Sequence, residues 1–164
     1  MTPFEVCSSV IALCAAGFTF YQAHLSRKHN RLSVMPHLQR ANTYGWKSGG
    51  GQFGYSIYLQ NYALGPARIC SVKILLDGKL IGPGIEEIQS CIANASKSNG
   101  IMIEESTISI PTKNYVVKAH GEYRFCEFVM WLQSDKEDAF KFLSRFNAII
   151  EYESFYGDKA TLKI

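Results

Sequence analysis

The stretch Phe53–Leu76 reads FGYSIYLQNYALGPARICSVKILL, and its pattern predicts two β-strands joined by a turn. In the first half, apolar side chains take every second position, which is the period of a half-buried strand. The residues on this apolar face are Phe53, Tyr55, Ile57 and Leu59. Arg68–Leu76 is rich in Ile and Val and predicts the next strand. Gly65-Pro66 favours a turn between the two, and the side chain of Asn61 can cap it.

The strand pattern continues towards the C-terminus. Asp77-Gly78 is a hairpin signal that follows the second strand directly. Further strands are predicted over 79–81, 101–110, 115–118, 123–132, 148–154 and 159–164. In the strand 123–132, one face is expected to carry Tyr123, Phe125, Val129 and Trp131.

Two short helices interrupt these strands. The first shows apolar residues at helical spacing, namely Ile85, Ile88, Ile92 and Ala95. The second begins at a capping box formed by Ser134 and Glu137. Its apolar face comprises Ala139, Phe142, Leu143 and Phe146. The strand–helix–strand alternation of parallel sheets is absent from the sequence. The pattern therefore predicts an α+β fold, mainly antiparallel, as a sandwich or partly open barrel preceded by one N-terminal transmembrane helix.

That N-terminal helix is predicted from 18 uncharged residues, Val6–Ala23, which read VCSSVIALCAAGFTFYQA. A helix needs about 20 apolar residues to cross the hydrocarbon core, and about 17 suffice. The basic residues Arg27, Lys28 and Arg31 follow the apolar run, whereas a secretory signal peptide carries its positive charge before it. The alternative is a buried N-terminal helix of a soluble domain.

The same basic flank predicts the orientation of the chain. Lys and Arg are retained on the cytoplasmic side of a membrane, so the N-terminus is expected outside and the domain in the cytoplasm. Pro36 should end the helix, which divides the chain into a helix with its juxtamembrane segment, 1–32, and a β-rich domain, 33–164. Ser8, Ala12 and Ala16 form a stripe of small side chains that permits helix association and a homo-oligomer.

Composition excludes several classes of protein. The net charge is +3, of which +2 falls in residues 1–31, so the domain is nearly neutral and no general DNA or RNA binding is expected. Five cysteines without a C-x-x-C pair support neither a disulfide framework nor a zinc ribbon. No metal, cofactor or catalytic residue is predicted. Glu104-Glu105 and Glu151/Glu153 are carboxylate pairs, the latter expected on an edge hairpin opposite Lys159 and Lys163, and His120 is expected in an exposed turn.

One stretch combines cations, rings and glycines. We predict a ligand site formed by Arg40, Trp46, Lys47, Gly49, Gly50 and Gly51. Cations can hold phosphates, glycine backbones permit close approach, and aromatic rings stack on nucleobases. Tyr44, Phe53 and Tyr55 lie near these residues in the sequence. The alternative is a flexible loop between strands, with the aromatic residues in the core.

In layout the chain resembles small bacterial proteins with one N-terminal span, a basic run such as Arg27–Val34 and a cytoplasmic β domain. It is similar in architecture to membrane effectors of bacterial antiphage systems of the CRISPR and cyclic-nucleotide type. The resemblance covers architecture only, so it implies no functional residues. It implies a non-enzymatic, ligand-gated oligomeric effector in the bacterial inner membrane that binds a cyclic nucleotide. The alternative function is a passive anchor or scaffold for a cytoplasmic protein partner.

Overall fold

A computed structural model describes residues 2–46, 51–82, 84–98, 101–131 and 136–164. Within these ranges the chain forms three helices, α1 (Pro3–Ser33), α2 (Ile85–Ser98) and α3 (Lys136–Ser144). The first five strands are β1 (Leu38–Trp46), β2 (Gln52–Asn61), β3 (Ala67–Leu76), β4 (Lys79–Leu80) and β5 (Met102–Ile108). The last four are β6 (Val116–Val117), β7 (Glu122–Trp131), β8 (Phe146–Glu153) and β9 (Lys159–Lys163).

Helix α1 stands away from the rest of the chain. Pro3 is its first residue, a position where the missing N–H of proline costs nothing. It ends at Ser33, three residues before Pro36, as the restriction on residues preceding proline predicts. Its described side chains are exposed along the whole length. The structure therefore does not show the buried N-terminal helix that was the alternative interpretation.

The strands form two antiparallel sheets. One has the order β1-β2-β7-β5, and the other has the order β4-β3-β8-β9 with β6 paired to β3. Every described pair is antiparallel, so the α+β, mainly antiparallel class is confirmed. The two sheets remain separate within the described residues, as in a sandwich and not as in a closed barrel.

A single apolar core joins both sheets and two helices. The predicted apolar face of β2, from Phe53 to Leu59, is buried. Residues of β3, β7 and β8 join it, and α2 contributes Ile88 and Ile92 to the same cluster. Helix α3 contributes the predicted Phe142 and Leu143, while Ser134 of the predicted capping box lies outside the described residues. Ile85, in contrast, is exposed at the start of α2.

Two features of the sheets differ from the prediction. Strand β1 was not predicted, because most of its side chains are exposed and it lacks an apolar alternation. In β7, Ile57 pairs with Cys126 but Tyr58 pairs with Arg124, so Phe125 is an extra residue in a β-bulge. A bulge shifts the alternation by one residue. Cys126, Phe128 and Met130 consequently face the core, and the expected shared face of Tyr123, Phe125, Val129 and Trp131 is wrong.

Two turns were predicted correctly and fix the ends of β3. The side chain of Asn61 is buried and donates to the carbonyl of Gly65 at 2.8 Å, which caps the turn between β2 and β3. At the other end, Asp77 and Gly78 have φ values of 52° and 77°, which suit a two-residue hairpin. Strand β3 thus runs from the end of the domain near α1 to the opposite end.

Candidate functional site

Strand β1 presents a row of polar and aromatic side chains at the edge of its sheet. Arg40 pairs with Leu59, Tyr44 with Tyr55, and Trp46 with Phe53. Paired residues of an antiparallel ladder point to the same face. Arg40, Tyr44 and Trp46 therefore lie on the core-facing side of the sheet. Because β1 is the edge strand, they lie at the exposed margin of that side.

Arg40 is held in place by two neighbours. Its Nε donates to Asn42 Oδ1 at 2.8 Å, and its Nη2 donates to the Tyr55 hydroxyl at 2.8 Å. Tyr55 is buried, so its hydroxyl fixes the guanidinium against the sheet. The guanidinium also carries donors that these two bonds do not use. Because Arg40 is exposed, such donors are accessible to an anion from solvent.

An aromatic cluster continues from Arg40 along the strand. Phe140 of α3 meets Tyr44 edge to face, with ring centroids 5.4 Å apart, and Trp46 meets Phe53 at 5.7 Å. Phe53 is buried, whereas Tyr44, Trp46 and Phe140 are 61%, 50% and 38% exposed. We call Arg40, Tyr44, Trp46 and Phe140 the aromatic edge. It offers ring surface and one cation on the same face of the sheet.

The structure brings only part of the predicted ligand site together. Arg40 and Trp46 share a face, but they lie six positions apart along the strand, a distance of about 20 Å. Gly51 has a φ of +85° and lies against another ring, because a Cβ there would come 2.8 Å from Cζ3 of Trp131. Lys47, Gly49 and Gly50 lie outside the described residues. Most of the predicted glycine loop thus lies outside the described residues. The structure does give the geometry of the aromatic part of the predicted site.

Phe140 is the member of the aromatic edge that the sequence did not reveal. It lies far from β1 in the chain and reaches Tyr44, Phe53 and Tyr55 only through the packing of α3. One signal was present in the sequence: Phe140 is a large apolar residue outside the predicted face of its helix. A large apolar residue on that side of the helix is expected to pack against a surface that the other apolar residues of the helix do not contact.

Two large cavities among the described residues lie away from the aromatic edge. One of about 470 Å³ opens between α2 and β5, where its lining includes Gln89, Lys97 and Glu104. A second of about 470 Å³ lies beside the β3–β4 hairpin. Neither is lined by the aromatic edge. The rings of Tyr44, Trp46 and Phe140 are exposed, which suits a ligand that lies against them.

The candidate carboxylates have structural partners. Glu151 accepts a hydrogen bond from Ser71 at 2.8 Å, and this bond together with Lys73 lowers the pKa of the carboxyl. Glu153 forms an ion pair with Arg68. The expectation of an edge hairpin is confirmed, because β9 is the last strand of the order β4-β3-β8-β9 and pairs with β8. Lys159 does pair with Glu153 in register, but the contacts of both carboxylates come from β3.

His120 is exposed in a turn, as predicted, with a φ of 51°. In the described part of the chain, no group of three or more His, Cys, Asp or Glu side chains is arranged to hold a metal ion. Cys126 is buried, and its burial raises the pKa of the thiol to about 12. A thiol with that pKa is not a nucleophile at neutral pH.

Helix α1 is long and apolar enough to cross a membrane, and a signal sequence meets the same criteria. Ser8, Ala12 and Ala16 lie exposed on it, and the oligomer that they suggest stays a prediction. Arg27 and Lys28 are exposed near its end. Arg31 does more than flank the helix, because its Nε donates to Asp158 at 2.8 Å. That bond lowers the pKa of the Asp158 carboxyl and ties α1 to the β8–β9 turn.

No protein-family model matches this chain, and no curated protein matches it either. Function is therefore inferred from three features of the molecule itself. These are the exposed apolar helix, the open aromatic edge and the contacts between α1 and the domain.

Proposed function

We propose that the chain is a membrane-anchored, non-enzymatic binding module. The observation that supports the anchor is the complete exposure of α1, including Phe4, Leu13 and Phe20, which are 82%, 74% and 79% exposed. Burying apolar surface is favourable by about 25 cal/mol per Å², so an uncovered helix of this kind needs an apolar environment. The described residues of the domain do not supply one, whereas a bilayer does.

The anchored chain is proposed to be single-pass in the bacterial inner membrane. The basic residues Arg27, Lys28 and Arg31 lie on the domain side of the apolar run, which favours a cytoplasmic domain and an N-terminus outside. Free cysteines in the domain suit a reducing compartment.

The ligand site of this module is proposed to be the aromatic edge, and the ligand a cyclic oligonucleotide. Such a molecule presents several phosphates and several planar bases in a compact form. Arg40 offers guanidinium donors for a phosphate, and Tyr44, Trp46 and Phe140 offer exposed ring faces for bases. The spread of about 20 Å along β1 suits a ligand with more than one base. Binding would then signal to the membrane through α1, as in a ligand-gated antiphage effector.

The test is calorimetry of the full chain in detergent micelles against cyclic di-, tri- and tetranucleotides at fixed salt. Hydrogen bonds to charged groups contribute about 1.5–3 kcal/mol, so Arg40→Ala should weaken binding about tenfold or more. Trp46→Ala should lose a stacking contribution of about 1–3 kcal/mol. Arg124→Ala is the matched control, because Arg124 pairs with Tyr58 on the opposite face of the same sheet. It should bind like the unaltered chain.

No heat with any of these nucleotides, from a folded chain, would contradict the ligand assignment. The second candidate function, a scaffold for a protein partner, would then gain support from a different feature. Strand β1 is a nine-residue edge strand with mostly exposed side chains, which a partner strand can extend by main-chain hydrogen bonds. Such a partner would protect the β1 amides from hydrogen exchange and would tolerate Arg40→Ala.

A further inference from the structure

Four large apolar side chains are exposed at the end of the domain from which α1 leaves. They are Leu64, Val116, Phe155 and Tyr156, at 65%, 40%, 81% and 56% exposure. They come from three separate turns or short strands, and we call them the collar. Exposed single apolar residues are common, but a group gathered around one structural feature indicates a surface that is covered in function.

Contacts place the collar at the base of α1. Gly65, next to Leu64, packs so closely that a Cβ there would lie 1.6 Å from the carbonyl oxygen of Val34, the residue that follows the helix. Asp158 of the β8–β9 turn accepts the hydrogen bond from Arg31 in the last turn of α1. Phe155, Val116 and Pro66 line one shared cavity of about 120 Å³. The collar therefore surrounds the exit point of the helix.

The β8–β9 turn is built to hold its two aromatic residues outwards. Ser154 is buried, and its Oγ accepts hydrogen bonds from the backbone amides of Tyr156 and Asp158, each at 3.1 Å. The amide of Gly157 donates to the Ser154 carbonyl at 3.0 Å, and Gly157 has a φ of +80°, which favours glycine. The exposure of Phe155 and Tyr156 thus follows from a closed network of hydrogen bonds around the tip.

The helix also sets the distance between the collar and a bilayer. If the hydrocarbon core ends at Ala23, Arg31 lies eight residues further, or about 12 Å along the axis. Headgroups extend about 5–7 Å beyond the core on each side. A turn that protrudes next to Arg31 by one aromatic side chain therefore reaches the headgroup layer. Aromatic residues favour this layer, and the cations of the α1 flank favour anionic lipids.

We infer that the collar rests in the headgroup layer of an anionic bilayer, so that the domain lies on the membrane with a fixed orientation. This inference rests on the proposed anchoring by α1. It places the collar next to the membrane and the Asp77-Gly78 turn about 30 Å away from it, which is the length of β3. Trp46 and Trp131 lie at the end of their sheet remote from Asn61, so the outer part of the aromatic edge would face the cytoplasm.

The test uses the full chain in vesicles of phosphatidylglycerol and phosphatidylcholine, with phosphatidylcholine brominated near the top of the acyl chains. Bromines at this depth lie next to the headgroup layer, so they quench a tryptophan in that layer more than one that lies further out in water. In Phe155→Trp, a clear part of the emission added to that of the native tryptophans should be lost. In Leu80→Trp, the matched control at the opposite end of β3, the added emission should persist.

Flotation of the same samples separates the two hypotheses. A chain that floats with the vesicles and shows quenching in Phe155→Trp alone supports the collar. A floating chain in which Phe155→Trp and Leu80→Trp are equally unquenched would overturn the collar but leave the anchor intact. A folded chain that does not float would overturn the anchoring and the collar together.

Discussion

Replacing Asn61 with Ala tests the packing that joins α1, β1 and the collar. The buried Asn61 amide donates to the carbonyls of Gly65 and Lys118, at 2.8 and 3.1 Å. Its Oδ1 accepts from the backbone amides of His37 and Ala63, each at 3.2 Å. Truncation therefore removes these four bonds together with a longer one, at 3.4 Å, to the carbonyl of Val117.

The expected loss follows from these four bonds. Each contributes about 0.5–1.5 kcal/mol net, and water entering the site will replace some of them, so we expect a loss of about 3 kcal/mol. In a chain of this size, 1 kcal/mol shifts Tm by about 2–4 °C, which predicts a drop of about 6–12 °C. Asn147→Ala, at an exposed position of β8, should change the stability by less than about 0.5 kcal/mol.

The assay is thermal unfolding of the full chain in detergent, followed by circular dichroism. Asn61→Asp adds a second arm, because it keeps the acceptor for His37 and Ala63 but cannot donate while ionised. The loss of Tm in Asn61→Asp, relative to the unaltered chain, should therefore become smaller as the pH is lowered and the carboxyl regains a proton. If Asn61→Ala melts with the same Tm as Asn147→Ala, the reasoning from the buried amide is refuted.

Three further predictions concern the thiol, the turn and the ion pair. Cys126, whose pKa burial raises to about 12, should react with maleimide at neutral pH only after unfolding, as peptide mass spectrometry would show, and equal labelling of the folded chain would contradict its burial. Gly65→Ala should lower Tm far more than Gly45→Ala, which adds a methyl group with no atom within 4 Å, and equal melting of the two would disprove the close contact between Gly65 and the Val34 backbone. The bond from Arg31 lowers the pKa of Asp158, so its stabilising contribution is present above a pH of about 4 and is lost as the pH falls through the depressed value. A carboxyl NMR titration should show a higher pKa for Asp158 in Arg31→Ala, and an unchanged value would exclude the bond.

Much of the fold could be predicted from the sequence because local rules and packing agree there. The alternation of β2, the turn capped by Asn61 and the Asp77-Gly78 hairpin each combine a short-range signal with burial. Strand β1 escaped prediction because an edge strand with exposed side chains has no apolar period. The bulge at Phe125 was not predicted, because one inserted residue leaves β7 as apolar as before. It changes only which of the following side chains face the core.

The site was less predictable than the fold, since it depends on residues far apart in the chain. Arg40 and Trp46 were predicted from their proximity in one stretch of sequence, but Phe140 reaches Tyr44 of the same strand only through the docking of α3. The bond between Arg31 and Asp158 joins positions 127 residues apart, which no local pattern indicates. The collar combines three turns that are adjacent only in the folded chain.

The central claim is that α1 anchors the domain to a membrane, and one fractionation measures it most directly. The full chain, tagged after Ile164 and expressed in a bacterium, is extracted from membranes with alkaline carbonate and analysed by size. We predict that the uncleaved chain, of 18.4 kDa plus the mass of the tag, stays in the membrane pellet, as a spanning helix requires. A shortened chain in the soluble fraction would show that α1 is a cleaved signal sequence. An uncleaved chain released by carbonate would show that α1 does not span the membrane, and either result would contradict the account.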